Sequence, residues 1–131
     1  MTGRSLTFSF YKSKNMLNLF NFNSSEYGNL NAEECAELME KENPVLLDIR
    51  SPQEKADGDI PGSILINLFD PNFASQIEQL DRDKTYVVFC RSGNRSKTAC
   101  SLMAAKGFEK LYNLKGGIFG WNQYQALLNN V

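Results

Sequence analysis

Apolar positions along this chain fall into two patterns, short unbroken runs and stretches with a helical period. Tyr86-Val87-Val88-Phe89 is a run of two aromatic and two β-branched residues that enters Cys90 without a charge, which predicts a strand buried on both faces. Val45-Leu46-Leu47-Asp48, Ile64-Leu65-Ile66-Asn67 and Leu111-Tyr112-Asn113-Leu114 read as further strands. Helical spacing lies between them. Asn31 followed by Ala32-Glu33-Glu34 fits an N-cap with a carboxylate at the third helical position, Cys35, Leu38 and Met39 recur on one side, and Asn43-Pro44 stops the helix. Phe73, Ile77 and Leu80 share a face of a helix over 72–80. Ala99, Leu102, Met103 and Lys106 share another on a helix beginning at Ser96 and stopped by Gly107, and Trp121 to Leu128 form a closing helix. Gly116-Gly117 is a turn at which backbones approach closely. Strands alternating with helices imply an α/β fold, a small parallel sheet with helices on both faces and its chemistry at the strands' carboxyl ends.

Length and composition bound the rest. The 131 residues suit one compact domain with a core that needs no disulfides, and 42% hydrophobic with 22% charged residues is ordinary for a globular chain. A net charge of −1 gives no reason to expect nucleic acid or an anionic membrane as a partner. Residues 1–26 stand apart. Arg4, Lys12 and Lys14 are their only charges before Glu26, and Lys12 and Lys14 interrupt the apolar region that a secretory signal would need. No run approaches the roughly 18 apolar residues of a membrane span. Residues 1–26 are expected to be a poorly ordered extension, or to follow from a start at Met16; a transit peptide or an arm on a partner subunit are the alternatives. Residues 27–131 form the folded domain.

Three cysteines in no paired spacing do not make a disulfide framework, so a reducing compartment, the cytoplasm, is the expected location. The chain has no histidine. That excludes Cys-His and Ser-His-Asp catalysis and any histidine-containing metal site.

The stretch after the central strand carries the candidate chemistry. Arg91-Ser92-Gly93-Asn94-Arg95 is small, polar and cationic, with a glycine able to take positive φ, and a helix follows it. A curled loop of this kind aims its N–H groups at one point and adds the positive end of the helix. Cys90 therefore sits in an anion cradle bracketed by Arg91 and Arg95, and should titrate below the usual value of about 8.5 as a nucleophilic thiolate. A small buried core thiol is the alternative. Cys35 and Cys100 are expected to be core residues, although Cys100 could in principle resolve a sulfenate or persulfide on Cys90. Asp48 ends its strand where its carboxylate can accept hydrogen bonds from backbone or arginine near the loop, with Arg50 two residues on.

Cys90-Arg91-Ser92-Gly93-Asn94-Arg95-Ser96 resembles the active-site loop of the rhodanese family of sulfurtransferases. Leu46 to Glu54 resembles the strand and turn that open that domain, Gly58-Asp59-Ile60-Pro61-Gly62-Ser63 its Gly-His-Ile-Pro-Gly-Ala segment, and Gly116 to Trp121 its closing Gly-Gly-x-x-x-Trp motif. Four motifs in the family's order span roughly residues 29 to 128. The resemblance implies a rhodanese-like domain and an architectural role for Asp48 and Arg50, tying their turn to the loop; an exposed ion pair is the alternative. Two positions depart from the family. Asp59 stands where histidine is usual and Lys55 where Tyr or Phe is usual, which bears on substrate preference and packing rather than on the nucleophile.

The expected activity is sulfur transfer. Cys90 would take a sulfane sulfur from thiosulfate or a persulfide donor, hold it as a persulfide, and pass it to a thiol or cyanide acceptor, with no cofactor or metal required. Arg91 and Arg95 would hold the donor's anionic end, the N–H groups of Ser92, Gly93, Asn94 and Arg95 would stabilise the terminal sulfur, and Ser96 would support the loop. Two other readings remain. Phosphate or arsenate chemistry is disfavoured because four residues separate Cys90 from Arg95, where phosphatases of this general kind have five. The other is a module without independent turnover that binds a partner protein or relays sulfur within a pathway; an intact Cys90 argues against a purely structural role, and a relay subunit needs the same persulfide.

Overall fold

The computed structural model describes residues 27–130, so the expectations for residues 1–26 lie outside the described residues. The chain runs through β1 (Gly28–Leu30), α1 (Ala32–Glu42), β2 (Val45–Asp48), a 3₁₀ helix (Pro52–Asp57), β3 (Ile64–Leu65), α2 (Phe73–Glu78), β4 (Tyr86–Phe89), α3 (Asn94–Ala105), β5 (Leu111–Leu114) and α4 (Gly117–Asn129). The five strands make one parallel sheet in the order β1-β5-β4-β2-β3. The strand that leads to Cys90 is thus central. It is paired on both sides, with Leu47 opposite Val88 and Val87 opposite Tyr112.

Alternation along the strands divides the core into two layers. Leu47, Tyr86, Val88, Cys90 and Leu111 face Phe73 and Ile77 of α2 and Ala99, Cys100 and Met103 of α3. Leu46, Val87, Phe89, Tyr112 and Leu114 face Ala32, Cys35 and Leu38 of α1 and Ile118 and Trp121 of α4. Both faces of the sheet are covered, which is why β4 reads as an unbroken apolar run.

Local signals place the helix ends. The Asn31 side chain accepts the Glu34 N–H at 2.8 Å while the Glu34 carboxylate accepts the Asn31 N–H at 2.9 Å, and Asn43 ends α1 in the left-handed region at φ 52°. Several boundaries differ from the sequence expectation: α3 starts at Asn94 rather than Ser96, β3 ends at Leu65 rather than Asn67, and a 3₁₀ helix over Pro52–Asp57 was not expected. β1 pairs with β5, although its Gly-Asn-Leu sequence carries no strand signal, because β5 supplies the partner backbone. α4 starts at Gly117 rather than Trp121 because Gly116 and Gly117, at φ 84° and 57°, turn the chain straight into helix.

Candidate functional site

The loop after β4 curls over the Cys90 thiol. Gly93, at φ 103°, caps α3, and its N–H lies 3.1 Å from Cys90 Sγ. The N–H of Ser96 lies 3.4 Å from the same sulfur, and Ser96 Oγ is also at 3.4 Å. Burial raises the Cys90 pKa. The Ser96 hydroxyl and the N–H groups of Ser96, Gly93 and Ser92 outweigh it and hold the thiol below its ordinary value.

A second element fixes the loop from below. The first N–H groups of α4 donate to it, Ile118 to the Cys90 carbonyl at 2.9 Å and Phe119 to the Arg91 carbonyl at 3.1 Å. A Cβ on Gly117 would lie 2.5 Å from both carbonyl oxygens, so only glycine permits this approach. The helix end therefore uses its unpaired donors on the loop's backbone rather than on water.

The two arginines of the loop have different surroundings. Arg95 makes a bidentate pair with Glu54, at 2.9 Å and 2.7 Å, and this pair holds the Glu54 carboxyl down to about 2. Arg91 is exposed, its guanidinium stacks 5.2 Å over the Phe119 ring, and no carboxylate pairs with it among the described residues. Ser92 and Asn94 are also exposed on the loop.

Asp48 and Arg50 are both fully buried. Arg50 Nε and Nη2 donate to the two Asp48 oxygens at 2.9 Å each, and its remaining donors reach the carbonyls of Glu54 and Gly58. The pair does not touch Cys90. It braces the turn that carries Glu54, whose carboxylate also accepts the Ser51 N–H, and Glu54 in turn grips Arg95. The two family departures meet each other: Lys55 Nζ lies 2.7 Å from Asp59 Oδ2, so the extra carboxylate is neutralised on the spot.

Glu54 and Asn113 are the site residues that sequence reasoning missed. Ser51 with Glu54 three residues on was a legible capping pattern, but nothing local names Arg95, 41 residues away, as its partner. Asn113 interrupts an otherwise apolar strand, and a lone buried amide is itself a signal. Its Oδ1 accepts the Ser96 hydroxyl, and its Nδ2 donates to Asn29 Oδ1 at 3.0 Å. The other thiols are fully buried, Cys35 on the inner face of α1 and Cys100 inside α3, and burial pushes Cys35 up to about 12 and Cys100 further. No cluster of three or more histidine, cysteine or acidic side chains suited to a metal occurs among the described residues, nor does any helix there have the length and apolarity to cross a membrane.

A parallel α/β domain with a cysteine in an N–H-lined loop at the carboxyl end of its central strand defines the class. Residues 31–124 match the family described as the Rhodanese-like domain, and the chain belongs to that family. A sulfurtransferase of Allochromatium vinosum is 33% identical over 87 residues, covering 66% of this chain and 79% of the relative. A thiosulfate sulfurtransferase, GlpE, of Pseudomonas putida is 35% identical over 97 residues, covering 74% of this chain and 86% of that one. Among solved structures, a rhodanese-related protein from Thermoplasma volcanium superposes with a TM-score of 0.67 at 32% identity, covering 75% of this chain and 93% of that chain.

Proposed function

We propose that this protein is a sulfurtransferase that works through a Cys90 persulfide. The observation that carries the reading is the sulfur of Cys90 at the focus of the Gly93 and Ser96 N–H groups and the Ser96 hydroxyl, at the start of the twelve-residue helix α3. These donors favour an anion on sulfur. The names of the sulfurtransferase relatives agree with it.

The Cys90 thiolate attacks the sulfane sulfur of thiosulfate or of a persulfide. The donor's S–S bond breaks, sulfite or a thiolate leaves, and a Cys90 persulfide anion forms; an acceptor thiolate or cyanide then takes the terminal sulfur and restores the thiolate. The N–H groups of residues 92 to 95 would stabilise that terminal sulfur. Arg91 meets the donor's anionic end, since it is exposed and has no carboxylate partner among the described residues, while Arg95 shapes the loop through Glu54. Three free thiols suit a reducing compartment such as the cytoplasm.

Intact-protein mass tests this directly. Reduced protein incubated with thiosulfate, or with a low-molecular-weight persulfide, is expected to gain about one sulfur atom, lose it to cyanide, and show neither change as Cys90→Ser. No adduct from either donor would sink the reading.

A further inference from the structure

Ser96 has one hydroxyl hydrogen and two neighbours that call for it. Asn113 Nδ2 donates to Asn29, so its amide oxygen faces Ser96 and accepts the hydroxyl. With its hydrogen committed there, Ser96 Oγ is only an acceptor toward Cys90 Sγ, 3.4 Å away, and the partner that suits an acceptor is S–H. Cys90, Ser96 and Asn113 are all buried, so no bulk water supplies a substitute donor. For this hydroxyl to support a thiolate at Cys90, it must turn from Asn113 to sulfur. That turn leaves a buried amide oxygen without its donor.

From this geometry we propose that Asn113 is a positioning residue that sets the charge state of Cys90 by competing with its thiolate for the Ser96 hydroxyl hydrogen. The inference rests on the reading of Cys90 as the nucleophile. Two hydroxyl orientations follow. In the thiol the hydrogen lies on Asn113 and Cys90 donates to Ser96; in the thiolate it lies on sulfur. Once a sulfane sulfur is loaded, Sγ is divalent and uncharged, the negative charge has moved outward, and the hydroxyl returns to Asn113. The hydroxyl thus supports the anion at the attacking stage and withdraws from Sγ at the carrier stage. Asn113 touches no reacting atom and acts only through Ser96.

The other charged and titratable groups around Cys90 keep their partners in this exchange. Arg95 on α3 stays on Glu54, Asp48 of β2 stays on Arg50, and Cys100 lies in the same apolar layer as a thiol. The backbone donors of Gly93 and Ser96 are unaffected.

The test is the thiolate absorbance near 240 nm of the unloaded full chain against pH, with the Cys90→Ser titration subtracted to remove tyrosine. Cys35 and Cys100 stay protonated in the same range. Asn113→Leu is expected to lower the Cys90 midpoint by about half to one unit, so that thiolate below the midpoint rises about three- to tenfold. Asn29→Ala, at an exposed position, frees the amide to turn and should shift the midpoint the same way by less. Ser96→Ala raises the midpoint, and Asn113→Leu added to it produces no further change. An unchanged midpoint in folded Asn113→Leu protein, or an equal shift in the Ser96→Ala background, overturns the proposal; should Asn113→Leu not fold, Asn29→Ala decides by the same two criteria. Because the titration needs no sulfur donor, it stands or falls separately from persulfide formation.

Discussion

Cys90 and Cys100 lie in the same apolar layer, under the same face of the sheet, and neither is more than 1% exposed. Burial raises the pKa of both, yet Cys100 ends far above the ordinary thiol value and Cys90 below it. Burial is therefore not what separates the two thiols. The difference is the supply of donors: Cys90 stands where a strand has ended and a helix has not begun, so N–H groups without intrahelical partners turn toward it. Cys100 lies two turns into α3, where each N–H is already committed to the helix. Two thiols equally hidden from solvent thus shift in opposite directions, with the backbone donors around Cys90 opposing its burial.

The largest expected effect is the one that would break this comparison. Cys90→Ser should lower thiosulfate-to-cyanide turnover by about 10³-fold or more, the scale of removing a covalent nucleophile, whereas Cys100→Ser keeps the persulfide and most of the rate. Comparable losses in the two variants would mean that the thiols act together. Next comes Gly117→Ala, whose added carbon meets the carbonyls of Cys90 and Arg91 at 2.5 Å. It should destabilise the fold by about 1–3 kcal/mol and raise the Cys90 midpoint toward that of an ordinary thiol, read by thermal melting and by thiolate absorbance.

Glu54 sharpens the comparison from the charged side. Its folded-state pKa of about 2 lies below the ordinary 4.5, so its contribution is complete above about pH 4.5 and is lost as pH falls toward 2. Wild-type stability should decline through that window, and Glu54→Gln, less stable by about 1–3 kcal/mol at neutral pH, should decline less. Denaturant titrations between pH 2 and 7 would show it; parallel declines in the two proteins would remove Glu54 as the latch on Arg95. The smallest effect is at Cys100 itself. Cys100→Ala should cost about 1 kcal/mol in packing and change kcat/KM less than about twofold, and a larger kinetic loss would make that thiol a participant.

Much of the fold was legible because its strands are short apolar runs and its helices carry caps. Asn31 with Glu34 marked the start of α1, and the Tyr86 to Phe89 run marked the central strand. β1 was not legible. Gly28, Asn29 and Leu30 have little strand preference and are extended because β5 lies beside them. At the site, Cys90, the loop and the close approach at Gly116-Gly117 could be read locally, since each depends on neighbours in the chain. The division of labour between Arg91 and Arg95 could not. Both look equally available in sequence, and only the approach of Glu54 across 41 residues separates them.

The sequence by itself therefore determined the order of the strands and helices from α1 onward apart from the 3₁₀ helix, the cysteine in its polar loop, and the family to which they belong, because periodicity, capping and turn chemistry act over a few residues. Tertiary structure alone decided the long-range polar pairs: Glu54 with Arg95, and Asn113 with the Ser96 hydroxyl on one side and Asn29 on the other. The physical reason is range. A hydrogen bond or ion pair at 3 Å depends on where the sheet places two side chains, and strand order, not spacing along the chain, sets that distance.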